Sequence, residues 1–287
     1  GGVTIKTNSQ VSEILKNKNK ITGVKVQDKI YTANSYIIAT GGNSHPETGS
    51  TGDGFLWLSL LGHSVKAPTP TVVPLKVKEN WVKSLSGISL EKMKITFYID
   101  DVKKFSKNGK LLFTHFGLSG PTILNCAEKV DVLLDTGALT AKIDLYPGVD
   151  ESILESNIIK LFDENKNKML KNVLIDFLPH GITIAFLSLI QEINPDTKVN
   201  SIKREDRKRI VHLLKSLPMT ISGLMGIDRA VVVDGGVDLS EIDTKTMRSK
   251  LFENLFVTGD LLHINRPSGG YSLQLCWTTG YVAGNNA

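Results

Sequence analysis

Apolar and polar positions alternate in short runs over residues 1 to 40. Val3-Thr4-Ile5, Val11 to Leu15, Gly23-Val24-Lys25-Val26 and Lys29-Ile30-Tyr31 each read as short strands, several with the two-residue period of a half-buried strand. They lead into Tyr36-Ile37-Ile38-Ala39-Thr40, a continuous apolar run of the kind a buried parallel strand carries. From Ala39 to Gly54 the pattern breaks into glycine, serine and threonine, which predicts a loop that turns tightly or wraps a ligand. Phe55, Leu58 and Leu61 then recur at helical spacing and stop at Gly62, predicting a helix that starts at Asp53 or Gly54.

Pro68, Pro70 and Pro74 mark a change of texture. Beyond them Leu75 to Val77, Met93 to Ile99 and Lys142 to Tyr146 read as strands of an antiparallel region. Gly109 to Pro121 reads as a shaped loop, with a helix from about Thr122 whose N-terminus lies beside His115 and Ser119. Between Asp150 and Leu217 the period becomes 3.6: Ile153, Leu154, Ile158, Ile159, Leu161 and Phe162, then Leu170, Leu174 and Phe177, predict helices, with two more over 182–190 and 205–217. Pro147 and Pro218 bracket this helical stretch. Ala230 to Val233 reads as a strand and Asp234-Gly235-Gly236-Val237 as a turn. Leu255-Phe256-Val257 reads as a strand running into Thr258-Gly259-Asp260, and Gly269-Gly270 as the opening of a last helix near Tyr271. The expected class is α/β, in five stretches: 1–66, a β-rich 67–149, a helical 150–217, a return over 218–240, and 241–287.

With 41% hydrophobic and 22% charged residues the chain is globular rather than disordered. Its longest apolar runs fall well short of the roughly twenty residues a spanning helix needs, so no membrane partner is expected. The start, GGVTIKTNSQ, has neither a Met nor a secretory pattern and reads as the start of a piece of a longer protein. Cys126 and Cys276 show neither metal-ligand nor disulfide spacing, so no metal is expected and a reducing cytoplasm fits. The net charge of +5 suggests an anionic partner, and Lys203 to Arg209 is the densest basic run. Its interleaved acids and the following Ile210, Leu213 and Leu214 mark a solvated helix face instead, and without an aromatic platform nucleic acid is not expected as a partner.

The chemistry concentrates near the end of the chain. Asp260 falls where a strand's carboxyl end meets solvent, the usual ligand crevice of an open sheet, and can accept hydrogen bonds from hydroxyls. Gly269 and Gly270 let a planar ligand approach the backbone, and the helix N-terminus at Tyr271 favours negative charge there. His45 and His115 sit in glycine-rich loops and are candidate catalytic groups, as is Tyr271. Arg266 is either a hold for an anionic substrate or part of a surface turn with Pro267. Cys276, among Leu273, Leu275 and Trp277, reads as a small buried residue.

Four blocks, in order, resemble one family. ATGGNSHPETGSTGDG (Ala39 to Gly54), LLFTHFGLSGP (Leu111 to Pro121), GGVDLSEIDTKTMRSK (Gly235 to Lys250), and LFVTGD with SGGYSLQLCWTTGYVAG at the end are similar to the bacterial HI0933-like flavoproteins, the BaiN/RdsA or YhiN family of FAD-dependent oxidoreductases. The resemblance implies a partial FAD-binding, Rossmann-like domain of the glutathione-reductase type, with an inserted antiparallel β domain and a helical insert. It implies FAD contacts at Thr40, Gly41 and Gly42 on the adenosine diphosphate side. Gly259 and Asp260 would meet the ribityl and pyrophosphate region, and Gly269, Gly270, Tyr271, Ser272 and Leu273 the flavin ring, with Gln274 on the following helix. Asp260 stands where many members have Glu, and Asn265 where they have an acid. The family's opening strand, GxGxxG and helix have no counterpart here, so this chain is expected to bind FAD weakly or not at all. The implied activity is hydride transfer between flavin and a small molecule, an enone or a small amine, with NAD(P)H or oxygen as the other reactant. The alternative is a non-catalytic binding module on the same scaffold. Neither pattern nor resemblance assigns an oligomeric state.

Overall fold

The computed structural model describes residues 2–226, 230 and 232–287, and divides into two compact units, Gly1–Val72 with Gly226–Ala287, and Val73–Met225. The first unit opens with an antiparallel meander of β1 (Val11–Asn17), β2 (Lys20–Val26) and β3 (Lys29–Tyr31). β4 (Tyr36–Ile38), α1 (Asp53–Leu61) and β5 (Val65–Val72) follow. α1 buries Phe55, Leu58 and Leu61, the residues whose spacing predicted it. Val3 and Ile5 are solvent-exposed and form no strand, because no neighbouring strand offers them a ladder.

The second unit is a closed barrel with helices packed on its core. Its elements are β6 (Leu75–Val77), α2 (Asn80–Ser84), β7 (Ser89–Ile99), β8 (Val102–Thr114), β9 (Gly117–Ser119), α3 (Pro121–Leu124), α4 (Ala127–Leu134) and β10 (Leu139–Asp144). α5 (Glu151–Glu164), α6 (Leu170–Phe177), α7 (Thr183–Leu189), α8 (Arg204–Lys215) and β11 (Leu217–Leu224) complete it. The barrel order is β10-β11-β6-β9-β8-β7, closed by the β7–β10 pairing. Met93, Ile95, Phe97 and Ile99 alternate into the interior while Lys94 and Tyr98 point outward, the period of two expressed as inside and outside. α5 turns Leu154, Ile158 and Phe162 inward, one per turn.

Helices and barrel share one apolar core, so 150–217 packs into one unit with the β stretch rather than standing apart as its own domain. Two other expectations change here. Gly109 to Thr114 is the end of β8, and only the turn before β9 is a loop, because Leu111 and Phe113 alternate inward and pair with the strands beside them. Pro218 does not end the helical stretch as a boundary. It lies inside β11, opposite Lys142, in a strand that closes the barrel.

The chain returns to the first unit through β12 (Val232–Val237), β13 (Ile242–Asp243), β14 (Arg248–Ser249), β15 (Leu255–Val257) and α9 (Tyr271–Asn286). Val231, in the expected strand from Ala230, lies outside the described residues. Asp234 to Val237 is strand rather than turn: β12 pairs antiparallel with β5, with a register shift at Asp234/Gly236 that absorbs the glycines. This pairing puts the end of the expected 218–240 return in the first unit, not with the barrel. The four-stranded sheet has the order β13-β14-β15-β4, and β4–β15 is its parallel pair among the described residues. The architecture is therefore mixed α/β with several small sheets. No helix among the described residues is long and apolar enough to cross a membrane.

Candidate functional site

β4 and β15 run parallel, with Tyr36 opposite Leu255 and Ile38 opposite Val257, so the loops after both strands leave from the same end of the sheet. Open α/β sheets hold ligands at that end. Thr258 ties the strand ends together, its N–H and its Oγ1 both donating to Ile38 O at 3.2 and 3.3 Å. The point a Cβ on Gly42 would occupy lies 3.7 Å from Asp260 Cβ. Gly41, Gly42, Gly259 and Asp260 are thus gathered into one place. Gly259 sits at φ +63° with its N–H donated to Thr279 Oγ1 at 2.9 Å, and a Cβ there would come within 3.0 Å of Cys276 Sγ. Gly54, at the start of α1, lies so close to Thr40 that a Cβ would fall 2.2 Å from its Oγ1.

Arg266 organises the loop after Asp260. Its side chain is 6% exposed, the guanidinium donating from Nη2 to Asp260 Oδ1, from Nε to Ser272 Oγ at 2.8 Å and from Nη1 to Ile264 O at 2.6 Å. Arg266 is therefore neither a surface turn nor a free hold for a substrate anion, because three of its donors are used inside the loop. The Asp260 carboxylate remains partly open beside it.

α9 begins immediately beyond, capped by the Gly270 backbone with no side-chain hydrogen bond. The N–H groups of Tyr271, Ser272 and Leu273 have no recorded acceptor among the described residues, which leaves three donors and the positive end of the helix dipole at this point. Tyr271 and Leu273 are exposed, and Ser272 is tied to Arg266. Cys276 corrects the expectation of burial. It is exposed, because among the described residues α9 buries little beyond Thr279 and Ala283. Its thiol is nonetheless raised above the ordinary value, by partial burial and by the neighbouring Asp260 carboxylate. A cavity of about 510 Å³ runs along β4, lined by Ile37, Ile38, Ala39, Thr40 and Trp57 among others.

The two histidines singled out in the sequence belong to different units. His45, at φ +54°, has its Nδ1 2.9 Å from Glu47 Oε1 and makes no recorded contact with Asp260. His115 is an exposed residue of the β8–β9 turn in the barrel unit, edge-on to Phe116 at 4.9 Å.

Sequence reasoning missed two polar clusters of the first unit. Lys66 Nζ lies 2.7 Å from Asp234 Oδ2 and 3.2 Å from His263 Nε2, and that Nε2 lies 3.3 Å from Asp234 Oδ1. Burial pushes the Asp234 carboxyl up, but the Lys66 hydrogen bond and charge and His263 outweigh it and hold it below the usual range. The second cluster is His63 with Glu241 and Ser249. The available signal was His263, three positions beyond Asp260. Lys66 and Asp234 meet it only through the β5–β12 pairing, which pattern alone does not reveal.

The family model described as "HI0933-like protein barrel and H2TH domain" matches residues 69–232. The chain is 30% identical over 286 residues to the ribosomal RNA dihydrouridine synthase of Haemophilus influenzae, covering 98% of this chain and 68% of that protein. The chain belongs to the HI0933-like family. It is also similar to the 3-dehydro-bile acid delta(4,6)-reductase of Clostridium scindens, at 26% identity over 276 residues, 96% of this chain and 67% of that protein. The ribosomal RNA dihydrouridine synthase of Escherichia coli is 26% identical over 282 residues, 98% of this chain and 67% of that protein. In this HI0933-like chain the matched stretch holds the barrel and its helices, while Asp260, Arg266 and α9 lie beyond it.

Proposed function

We propose that this chain belongs to a flavin-dependent oxidoreductase that saturates a carbon–carbon double bond conjugated to a carbonyl group. The observation that carries the reading is the convergence of Gly42 and Asp260 at the ends of two parallel strands, with the N-terminus of α9, which no side chain caps, following in the same loop. The relatives' names point to one chemistry. Dihydrouridine differs from uridine by saturation of a ring double bond conjugated to a carbonyl. A 3-dehydro bile acid with delta(4,6) unsaturation carries a dienone.

The residues fit the flavin end of FAD. Asp260 keeps one oxygen on Arg266 and offers the other to a ribityl hydroxyl. The free N–H groups at Tyr271 to Leu273 face negative charge favourably, and a reduced isoalloxazine carries such charge on its pyrimidine ring. Thr40, Gly41, Gly42, Gly269 and Gly270 would line the approach with backbone, while Gly259, the residue before Asp260, is buried and Ser272 holds Arg266. When bound, reduced flavin supplies the hydride, with NAD(P)H as its source. The protein's own part is to orient the acceptor, keep water out and deliver one proton.

The test is the visible absorbance of the flavin-loaded protein under anaerobic conditions. NAD(P)H is expected to bleach the flavin bands, and a 3-oxo-delta(4,6) bile acid or a uridine-containing ribosomal RNA fragment to restore them. Bands restored by oxygen alone and by neither acceptor would replace the reductase reading with an oxidase. No bands at all from a form that carries the family's opening GxGxxG unit would favour a binding module.

A further inference from the structure

We propose that the outward face of β10, β7 and β8 is an RNA-binding surface, on which three lysines from three strands hold backbone phosphates of a single strand. The choice of RNA rests on the reading above, in which a uridine-containing RNA is one acceptor. The face itself belongs to the barrel unit alone.

The three strands are neighbours in the barrel, and their registers bring outward residues into rows across them. Asp144, Lys94 and Asn108 make one row, Lys142, Thr96 and Ser106 the next, and Thr140, Tyr98 and Lys103 the third. Each row carries one lysine, and rows two residues apart along a strand stand about 7 Å apart. Each also carries a neutral hydrogen-bonding group: the Asn108 amide, the Ser106 hydroxyl and the Tyr98 hydroxyl in turn. Lys142 Nζ sits 4.9 Å from the centre of the Tyr98 ring, which holds that ammonium against the sheet.

The acids nearby do not cancel this charge. Asp144, the carboxylate within the rows, has Lys215 Nζ 2.7 Å from Oδ2 and accepts the Tyr146 N–H on Oδ1 at 2.9 Å. Glu91 lies 2.7 Å from Lys110, and Asp100 and Asp101 form the turn beyond the third row. Among the described residues, Lys94, Lys142 and Lys103 have no carboxylate within ion-pair distance. Over residues 89–114, six lysines stand against three acids. The field of the face is therefore turned outward, toward a chain of negative charges; an acceptor with a single charge has no use for three lysines. Strand faces that combine cations with an aromatic ring are how small barrels hold single-stranded nucleic acid. Hydroxyl and amide groups set between the lysines suit the 2′-hydroxyl by which RNA differs from DNA. The basic run on α8, dense as it is in the sequence, has Arg209 held by Glu192 and Asp206. The aromatic platform absent from that run stands instead on β7, and only the strand register brings the three lysines around it.

The test is the fluorescence anisotropy of a labelled, single-stranded, uridine-rich RNA titrated with the cofactor-free chain across a salt series. Each phosphate contact to a single strand contributes about 0.7 to the steepness of log K against log salt. Lys94→Gln combined with Lys142→Gln is expected to reduce that slope by about 1.4, and Lys103→Gln alone by about 0.7. Lys94→Arg with Lys142→Arg keeps the charge and should retain the slope. Arg204→Gln with Lys208→Gln removes the same charge from α8 and should leave the slope unchanged, and DNA of the same sequence should bind more weakly than RNA. An equal loss in the α8 variant, slopes unmoved by the face variants, or equal affinity for DNA would overturn the proposal. Any of these, with bleaching of the flavin-loaded protein by NAD(P)H intact, would leave the flavin reading standing. Face-dependent RNA binding by a protein whose flavin NAD(P)H does not bleach would keep the surface and remove the NAD(P)H-driven reading.

Discussion

The imidazole Nε2 of His63 lies 3.0 Å from the hydroxyl of Ser249, and its Nδ1 lies 2.8 Å from Glu241 Oε2. Serine, histidine and glutamate in that order match the spacing of a hydrolase triad, yet the chemistry is different. Ser249 Oγ already accepts N–H groups from Leu251 and Phe252 at 3.0 and 3.1 Å, and the His63 side chain is wholly buried. The hydroxyl donates to Nε2, so the imidazole carries its hydrogen on Nδ1 and donates to Glu241. This is a clamp between the end of α1 and the β13–β14 hairpin, with no open face for an ester or amide.

Ser249→Ala should therefore cost about 1–3 kcal/mol of stability by leaving buried polar groups unpaired, with no effect on ester hydrolysis, which should be absent in both proteins. Thermal unfolding and a nitrophenyl ester assay measure the two halves. Ester turnover that depends on Ser249 would sink the clamp reading.

Glu241 makes the clamp sensitive to acid. Burial pushes its carboxyl up, but hydrogen bonds from Ser64 and His63 outweigh that and hold it below its ordinary value of 4.5. A carboxylate with a lowered folded value stabilises the fold above its unfolded value, and that contribution is lost as pH falls through the folded one. Glu241→Gln should flatten the decline in stability below pH 4.5, read by urea unfolding across that range. An unchanged pH slope would show that other carboxylates govern it.

Asp260→Ala removes the carboxylate facing a nearly buried guanidinium. The cost should be about 3–5 kcal/mol, because Arg266 is left charged with one fewer partner. Flavin retention should fall in parallel. Asp260→Asn, which can still accept one hydrogen bond, should keep more of the stability than of the cofactor. Equal flavin content in all three proteins would displace the proposed site.

The two thiols should differ in reactivity. Cys126 is buried and its thiol is pushed up to about 12, so it should be silent in the folded protein. Cys276 is exposed but raised, and should react slowly with iodoacetamide near neutral pH. Asp260→Asn removes a raising charge and should speed that reaction. One thiol in native protein and two in denaturant is the expected titration.

Gly54→Ala drives a methyl into Thr40 Oγ1 at 2.2 Å and Leu261 Cδ2 at 2.7 Å. The loss should be about 1–3 kcal/mol, as for other overpacked sites. Thr40→Ser leaves the hydroxyl in place and should not rescue it, whereas Thr40→Ala should recover part of the loss.

Much of this was legible from local signals. α6 and β6 fall where their apolar spacing predicted, because each buries a face whose period the sequence carries by itself. Asp260 emerges at a strand end as expected, since three apolar residues and a glycine suffice to specify that junction. What pattern did not reveal depends on partners distant in the chain. Arg266 reads as a turn residue until Asp260 and Ser272 close around it. Asp234-Gly235-Gly236 reads as a turn until β5 supplies a ladder. His63 has no local signal, because its partners lie 178 and 186 positions away.

Asn254 accepts from Ile21 N at 2.9 Å and donates to Ile21 O at the same distance, across 233 positions of chain. During synthesis those contacts, and the partner of β4, do not exist until the barrel unit between them has been made. The barrel's strands pair within 73–225 and can form as soon as that stretch leaves the ribosome. The flanking unit must wait. Its β4 edge and the Ile21 backbone stay unpaired throughout that interval, which makes the early segment the one most in need of chaperone protection and the last to become resistant to protease.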